Sequence, residues 1–370
     1  MAHSYKRANG SILHARHWQR LPDQLLSGVF DYLKGKPVHY INEKRCKLTT
    51  TRCCALFIAV HMAAFASAAE AVDNRLVADR NKGEWTLVVI PDTQHYSQNR
   101  GNAPIAYMHD AFDWLVATRN QLNIKFVQGL GDIVESGSFF AEWDRASAAW
   151  NKLYGEIPFA VNQGNHDSIS SINKYFPVAN FEGEPWWGGS YEGIHNSYQL
   201  FNFYGEDFLF LNIQSHDPWG TDNPGARQWA NQIIAAHPDH KVLLGTHDTL
   251  ETSTIKRDIL TQHDNIVMSN AGHSCARETR FVTFGPEGGV AQNFVVDYQC
   301  DKQEIMLLRY YVFRPLEDKV DYYTYSPIKD IFEEDTLSQG SFDLELRDDI
   351  GTPVVEAPLG QIKAGIRTSR

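Results

Sequence analysis

From Trp85 onward, short apolar runs alternate with clusters of Gly, Asp, Asn and His. Residues 86–90 (TLVVI) end in PDTQHYS, 124–127 (IKFV) in QGLGDIVESG, and 158–161 (PFAV) in NQGNHD. Residues 241–245 (KVLLG) end in THD, and 265–268 (NIVM) in SNAGHSC. Four or five apolar residues bounded by chain breakers form the pattern of a strand buried on both faces. Between these runs, residues 103–120 and 138–154 repeat their apolar positions at helical spacing. Alternation of strand and helix predicts an α/β fold. Residues 199–214 read as a hairpin entering a second sheet, with its turn at 204–207, and residues 304–313 and 319–327 as two more strands of that second sheet. The expected architecture is two sheets packed face to face with helices outside. Residues 180–198, rich in Gly and aromatics without a period, read as a long loop of the kind that often forms a lid. Within it, Trp186 and Trp187 are either a stacking wall for a ligand or a cover for the core edge, and Trp219 poses the same choice.

In α/β folds the carboxyl ends of neighbouring strands open on one crevice, so residues far apart in sequence converge there. That geometry collects Asp92, Asp132, Asn165, His166, His247 and His273. Carboxylates, imidazoles and an amide oxygen are ligands for a borderline divalent ion such as Zn, Mn or Fe. One such residue alone is ordinarily a cap or turn; five strand ends bearing them in succession predict a metal cage. His216 and Asp217 follow the 199–214 segment and are further candidates to approach it, against a plain turn role.

These residues resemble the calcineurin-like metallophosphoesterase superfamily, whose pattern runs D-x-H, GD, GNH[DE], a lone His and GH-x-H. Asp92, Gly131-Asp132, GNHD at 164–167, His247 and His273 match it in order. PDTQ, with the later DYQ at 297–299 and TYSP at 324–327, is similar to a bacterial subgroup. The resemblance implies a four-layer α/β/β/α sandwich and a metal-dependent phosphoric ester hydrolase, acting on a mono- or diester through a metal-activated hydroxide. It implies two divalent ions, of Mn, Fe or Zn, with Asp132 bridging both, Asp92 on the first, and Asn165, His247 and His273 on the second. His166 would contact the phosphoryl group or protonate the leaving oxygen. Asp167 would orient the His166 ring, or else be a turn-forming residue.

Two positions depart from that pattern, and both serve the first ion. Gln94 stands where the first motif has His, and Cys275 where GH-x-H has its second His. An amide oxygen is a harder, weaker donor than imidazole, and a thiolate a softer one. Both remain in the expected ligand set, with the first ion loosely held, different in identity or absent; His95 is a neighbouring substitute. Cys275 has three open fates: ligand, half of a disulfide with Cys300, or buried thiol. These departures motivate a rival reading, a degenerate member that binds a phosphorylated ligand or protein partner without turnover. A serine hydrolase built on Ser274 is set aside, because the G-x-S-x-G elbow is missing.

Composition narrows the remaining choices. A chain of 370 residues that is 43% apolar is neither disordered nor fibrous, and five cysteines are too few for a disulfide scaffold. No apolar run approaches the ~20 residues that span a bilayer. The net charge of -11 is uneven: residues 1–69 hold ten Lys/Arg against three Asp/Glu, leaving 24 against 42, or -18, for the rest. So acidic a body repels nucleic acid and anionic membrane, but admits a small phosphorylated substrate where metal ions supply positive charge. Lys44, Arg45, Lys47 and Arg52 precede a twelve-residue apolar run at 55–66 and the A-x-A of Ala66-Ser67-Ala68. These are the parts of a secretory signal, against the alternative of a short buried helix. The expected layout is an N-terminal extension and signal at 1–69, a metallophosphoesterase domain at 70–335, and a C-terminal strand and tail at 336–370. The mature chain is expected to be secreted or periplasmic, with no stable membrane anchor; its oligomeric state stays open.

Overall fold

Six consecutive buried residues, Trp85–Ile90, form strand β1. Successive side chains of a strand point to opposite faces, so Trp85, Leu87 and Val89 enter one apolar cluster while Val88 and Ile90 enter another. Burial on both sides is what the uninterrupted apolar run demands. The computed structural model describes residues 73–214, 223–248, 250, 253–275, 277–300, 302 and 304–344. The expected extension and signal, His216, Asp217, Trp219 and the tail after 344 lie outside the described residues. The chain divides into two units, Met1–Ala71 and Val72–Arg370, and every described residue belongs to the second.

Two mixed sheets of seven strands each make up the body. In the first, β1 runs parallel to β2 (Ile124–Gly129), and β2 parallel to β3 (Phe159–Ala160). On its other side β1 pairs antiparallel with β11 (Leu308–Arg314), followed by β12 (Lys319–Ser326), which carries β13 (Ile331–Phe332) and β14 (Gln339–Asp343). The second sheet has the order β4 (Trp187–Ser190), β5 (Ser197–Phe203), β6 (Glu206–Asn212), β7 (Lys241–Thr246), β8 (Ile266–Ala271), β10 (Val290–Asp297), β9 (Arg277–Phe284). Strands β6, β7, β8 and β10 are parallel, with antiparallel strands at both edges. Helices α2 (Ile105–Thr118) and α3 (Phe140–Trp150) pack on the outer face of the first sheet, and α5 (Pro224–Ala236) on that of the second. Asn223 starts α5 by accepting the Ala226 N–H at 3.1 Å, and Pro224 fills its first turn. The shorter α1 (Gln94–Ser97) and α4 (Ile169–Tyr175) follow β1 and β3 directly. This is the α/β/β/α sandwich. Among the described residues no helix is long and apolar enough to cross a membrane.

Aromatic packing seals the sheets: Trp85 stacks on Phe313 at 3.8 Å and meets Phe203 and Phe208 at 4.5 and 5.0 Å. Near the strand ends the filling turns polar. Gln128 on β2 donates to Asn212 on β6 and accepts from Asn270 on β8, whose own oxygen takes the Tyr311 hydroxyl. This chain of buried amides ties the relative position of the sheets, because each member has a partner only in one register.

The segments 304–313 and 319–327 contain strands β11 and β12, but these extend the sheet of β1 instead of joining the 199–214 hairpin, which pairs with β7. An apolar run shows burial and not its neighbour; the Trp85–Phe313 pairing decides it here. Strands β9 and β10 were not expected, since Gln292 and Asn293 interrupt the apolar pattern, and Asn293 is buried by bonding Ser269 and Thr283. The expected loop at 180–198 contains β4 and the start of β5. Trp186 stacks on Phe201 and Trp187 on Phe181, so both cover the core edge.

Candidate metal centre

The five motif-bearing strands are split three and two between the sheets, and their carboxyl ends still meet. Asp92 follows β1, Asp132 follows β2, and Asn165 and His166 follow β3, all in the first sheet. His247 follows β7 and His273 follows β8 in the second. Close approach explains the glycines of the motifs. A Cβ on Gly164 would lie 2.1 Å from Asp132 Oδ1, and one on Gly272 would lie 2.1 Å from Asp92 Oδ1. Asp132 and His273 themselves sit in the left-handed region, at φ 46° and 72°, a conformation that costs such residues about 1–3 kcal/mol and recurs at functional sites.

His247 is fully buried at the centre. Its Nδ1 lies 2.9 Å from the Leu130 carbonyl, which can only accept. Its Nε2 faces Asn165 Oδ1 at 3.0 Å, His273 Nδ1 at 3.1 Å and Asp132 Oδ2 at 3.2 Å. Carboxylate, amide oxygen and two imidazole nitrogens turned toward one point suit a borderline divalent cation. One ligand atom each from Asp132, His247 and His273 fall within 4.8 Å of one another. Burial alone would depress the His247 pKa, but Asp132 and Asp92 together hold it well above the usual histidine range. Burial likewise raises Asp132, yet the His247 charge and hydrogen bond outweigh it and leave the carboxyl below its ordinary value.

Around Asp92 the arrangement differs from the expected ligand set. Its carboxylate accepts the His273 N–H at 3.2 Å and the Gln299 side-chain N–H at 3.2 Å, with His247 Nδ1 at 3.8 Å. Burial first, and the Asp297 carboxylate second, push Asp92 well above the carboxylate range. Cys275 is not a ligand: it forms a disulfide with Cys300, with Cα atoms 5.3 Å apart, and a disulfide sulfur is not a thiolate. The Gln94 Oε1 atom is buried and has no hydrogen-bond partner among the described residues. The neighbouring His95 contacts other groups. Its Nδ1 lies 2.9 Å from the Gln299 carbonyl and its Nε2 3.8 Å from the Glu135 carboxylate.

His166 donates its N–H to Asp132 Oδ1 at 2.9 Å, and its Nδ1 meets the Glu135 carbonyl at 2.9 Å. The ring is therefore oriented by a backbone oxygen, and the role expected of Asp167 is displaced. Asp167 instead accepts the N–H groups of Ile133, Val134 and Gly164 at 3.0–3.1 Å, clipping the β2 loop to the β3 loop. Burial, then the Asp132 charge, push its pKa up to about 7.

Two site residues escaped assignment of a role from sequence, Asp297 and Gln299. Asp297 ends β10 and accepts the Cys275 N–H at 2.5 Å and the Gln299 side chain at 3.1 Å. Their position at a strand end carries the same signal as the other motifs, but Gln292 and Asn293 hide the strand in the sequence.

The Calcineurin-like phosphoesterase family matches residues 86–278, more than half of the chain. A relative, the uncharacterized protein YvnB of Bacillus subtilis (strain 168), is 31% identical over 289 residues. The match covers 71% of this chain but 21% of the relative, so the chain spans about a fifth of that protein's length. Among solved structures, purple acid phosphatase PPD1 from yellow lupin (Lupinus luteus) seeds aligns with a TM-score of 0.47 at 9% identity, over 71% of this chain and 54% of that one. GAP50, the anchor in the inner membrane complex of Plasmodium, aligns with a TM-score of 0.43 at 10% identity, over 71% and 89%. From the matched segment and the motif residues gathered within it, the chain belongs to the calcineurin-like phosphoesterase family.

Proposed function

We propose that the protein hydrolyses a small phosphate mono- or diester with the help of divalent ions, and that it does so outside the cytoplasm. The observation that carries the reading is the convergence on His247 Nε2 of Asp132, Asn165 and His273 at 3.0–3.2 Å. Asp132, Asn165, His247 and His273 would hold one ion, with Asp132 shared toward the Asp92 side. When bound, such ions lower the pKa of a water and neutralise phosphoryl charge. The chain's own groups do the rest. Because the Glu135 carbonyl can only accept, His166 Nδ1 carries a hydrogen and Nε2 is left for substrate. When protonated, that nitrogen is the donor that passes a proton to the leaving oxygen, the role of a general acid. Leu130 fixes the His247 tautomer from behind, the usual way a ligating imidazole is oriented.

Export is supported by the basic stretch, apolar run and A-x-A site at 44–69, and by the Cys275–Cys300 disulfide, which persists in oxidising compartments. The same disulfide removes a ligand position, and so favours a second reading as a non-catalytic binder of a phosphorylated ligand or protein partner. An assay separates the two. The mature chain is stripped with chelator, resupplied with Mn or Zn, and given an aryl phosphate and an aryl phosphodiester. Metal-restored turnover that disappears in Asp132→Ala and His166→Ala supports hydrolysis. Unchanged turnover in Asp132→Ala overturns the mechanism, and no turnover with any metal leaves the binding role.

A further inference from the structure

His273 and the disulfide that begins two residues beyond it belong to one closed ring of bonds. We propose that the Cys275–Cys300 bridge positions the metal cage, so that its reduction by a dithiol lowers divalent-ion affinity while the fold stands, and reoxidation restores it. The inference rests on the metal-dependent reading above and adds a control on that same site.

The His273 N–H donates to Asp92 Oδ2 at 3.2 Å, and the same oxygen accepts the Gln299 side-chain N–H at 3.2 Å. Gln299 adjoins Cys300, the bridge returns the path to Cys275, and the backbone leads through Ser274 back to His273. Asp297 braces this ring from within. It accepts the Cys275 N–H at 2.5 Å, and the Gln299 backbone and side-chain N–H groups at 3.0 and 3.1 Å. His95 Nδ1 meets the Gln299 carbonyl at 2.9 Å from outside. The sulfur–sulfur bond is the link of this ring that a reductant can cut.

Two further observations give that cut its effect. His273 and Cys275 both stand in the left-handed region, at φ 72° and 38°, a conformation that persists in such residues only where the surroundings enforce it. Losing the bridge removes a constraint from the loop that carries the His273 ring, whose Nδ1 faces His247 Nε2 at 3.1 Å. Asp92, Asp297 and Gln299 are buried, whereas both cysteines are exposed, so a reagent reaches the sulfurs without entering the cage. There a thiolate of the dithiol attacks one bridge sulfur, and its second thiol resolves the mixed disulfide. Two electrons and two protons pass in all: the bridge becomes two thiols, and the dithiol becomes a disulfide. Groups that orient a metal ligand govern affinity by about 10- to 100-fold. An oxidising compartment therefore closes the cage, and a reducing one loosens it.

The test reads Mn binding, independently of turnover. Full chain, with its other thiols capped beforehand, is titrated with Mn by calorimetry when oxidised, when reduced with dithiothreitol and capped with iodoacetamide, and when reduced then reoxidised. Circular dichroism follows the fold at the same temperature. Capping leaves no thiolate to act as a ligand. The expected result is an affinity about tenfold or more weaker in the folded, capped chain, regained on reoxidation of uncapped protein. A bridge that only stabilises the fold would lower the melting temperature and leave Mn affinity unchanged, which overturns the proposal. Tighter binding by the reduced, uncapped chain also overturns it, since Cys275 would then be a ligand. Gln299→Leu opens the same ring on its hydrogen-bonded side, with bridge and charge kept, and should weaken Mn binding as well. Unchanged affinity in that variant overturns the proposal even where the capped chain unfolds. Affinity that falls on reduction in a chain that hydrolyses nothing removes the hydrolase reading and leaves this one standing; turnover with equal affinity in both redox states does the reverse.

Discussion

His247 joins the two sheets at the site: its ring follows β7 in one sheet, and its Nδ1 lies 2.9 Å from the carbonyl of Leu130, just beyond β2 in the other. That contact commits Nδ1 to donation and turns Nε2 toward Asp132, so sheet packing and ligand orientation are a single arrangement.

Metal binding should accordingly release a proton. Burial depresses the His247 pKa, but Asp132 and Asp92 more than offset this and raise it in the metal-free chain. With the folded value raised, the stability this group contributes is present below the ordinary histidine value of ~6.5 and is lost as pH rises through the raised value. A cation competes for the same nitrogen, so apparent metal affinity should climb with pH. Calorimetry in two buffers of different ionisation enthalpy should show about one proton released per ion at the imidazole site at neutral pH. His247→Ala should abolish that release and weaken binding about tenfold or more. Affinity that stays flat between acidic and neutral pH would count against this assignment.

Much of this cage was legible beforehand because GD, GNHD and the later His residues each end an apolar run, and a buried parallel strand advertises itself in sequence. Sheet membership was not. Residues 308–314 look like any buried strand, and only the fit of Phe313 against Trp85 places them beside β1. Asp297 and Gln299 were hidden for a related reason. Strand β10 buries Asn293 through side-chain hydrogen bonds from the neighbouring strands, so polarity masked a strand that is as buried as β7. The fate of Cys275 depended on the 5.3 Å Cα separation from Cys300, a tertiary distance that no local pattern encodes.

Asp167 should prove a stability residue. Its carboxylate takes three backbone N–H groups from two loops that carry Asp132 and His166. Asp167→Ala leaves those donors buried and unpaired, with an expected loss of about 3 kcal/mol by denaturant unfolding. Asp167→Asn keeps one acceptor oxygen and should lose less. Were Asp167 instead the group that orients His166, Asp167→Ala would keep its stability and lose turnover.

The disulfide closes a loop of 25 residues between the His273 loop and the end of β10. By the loop-closure argument it stabilises the fold by about 3 kcal/mol. Cys300→Ser should lower the melting temperature, and reductant should lower that of the unaltered chain by a similar amount while leaving Cys300→Ser unmoved. Equal melting temperatures with and without reductant would show that the bridge contributes nothing measurable.

Away from the cage, His195 should make the fold acid-sensitive. The side chain is fully buried, and neither ring nitrogen has a hydrogen-bond partner among the described residues. Burial pushes its pKa down to about 4, with Glu192 opposing only in part. The unfolded chain therefore binds a proton that the folded chain refuses between about pH 6.5 and 4. Unfolding free energy should fall as pH drops through that window, by about 3 kcal/mol at full development for a shift of roughly 2.5 units at ~1.36 kcal/mol each. His195→Leu fills the site without a titrating group. Denaturant unfolding at pH 7 and pH 4.5, on metal-free protein, should show the larger pH difference in the unaltered chain. An identical difference in His195→Leu would mean that another group carries the acid sensitivity.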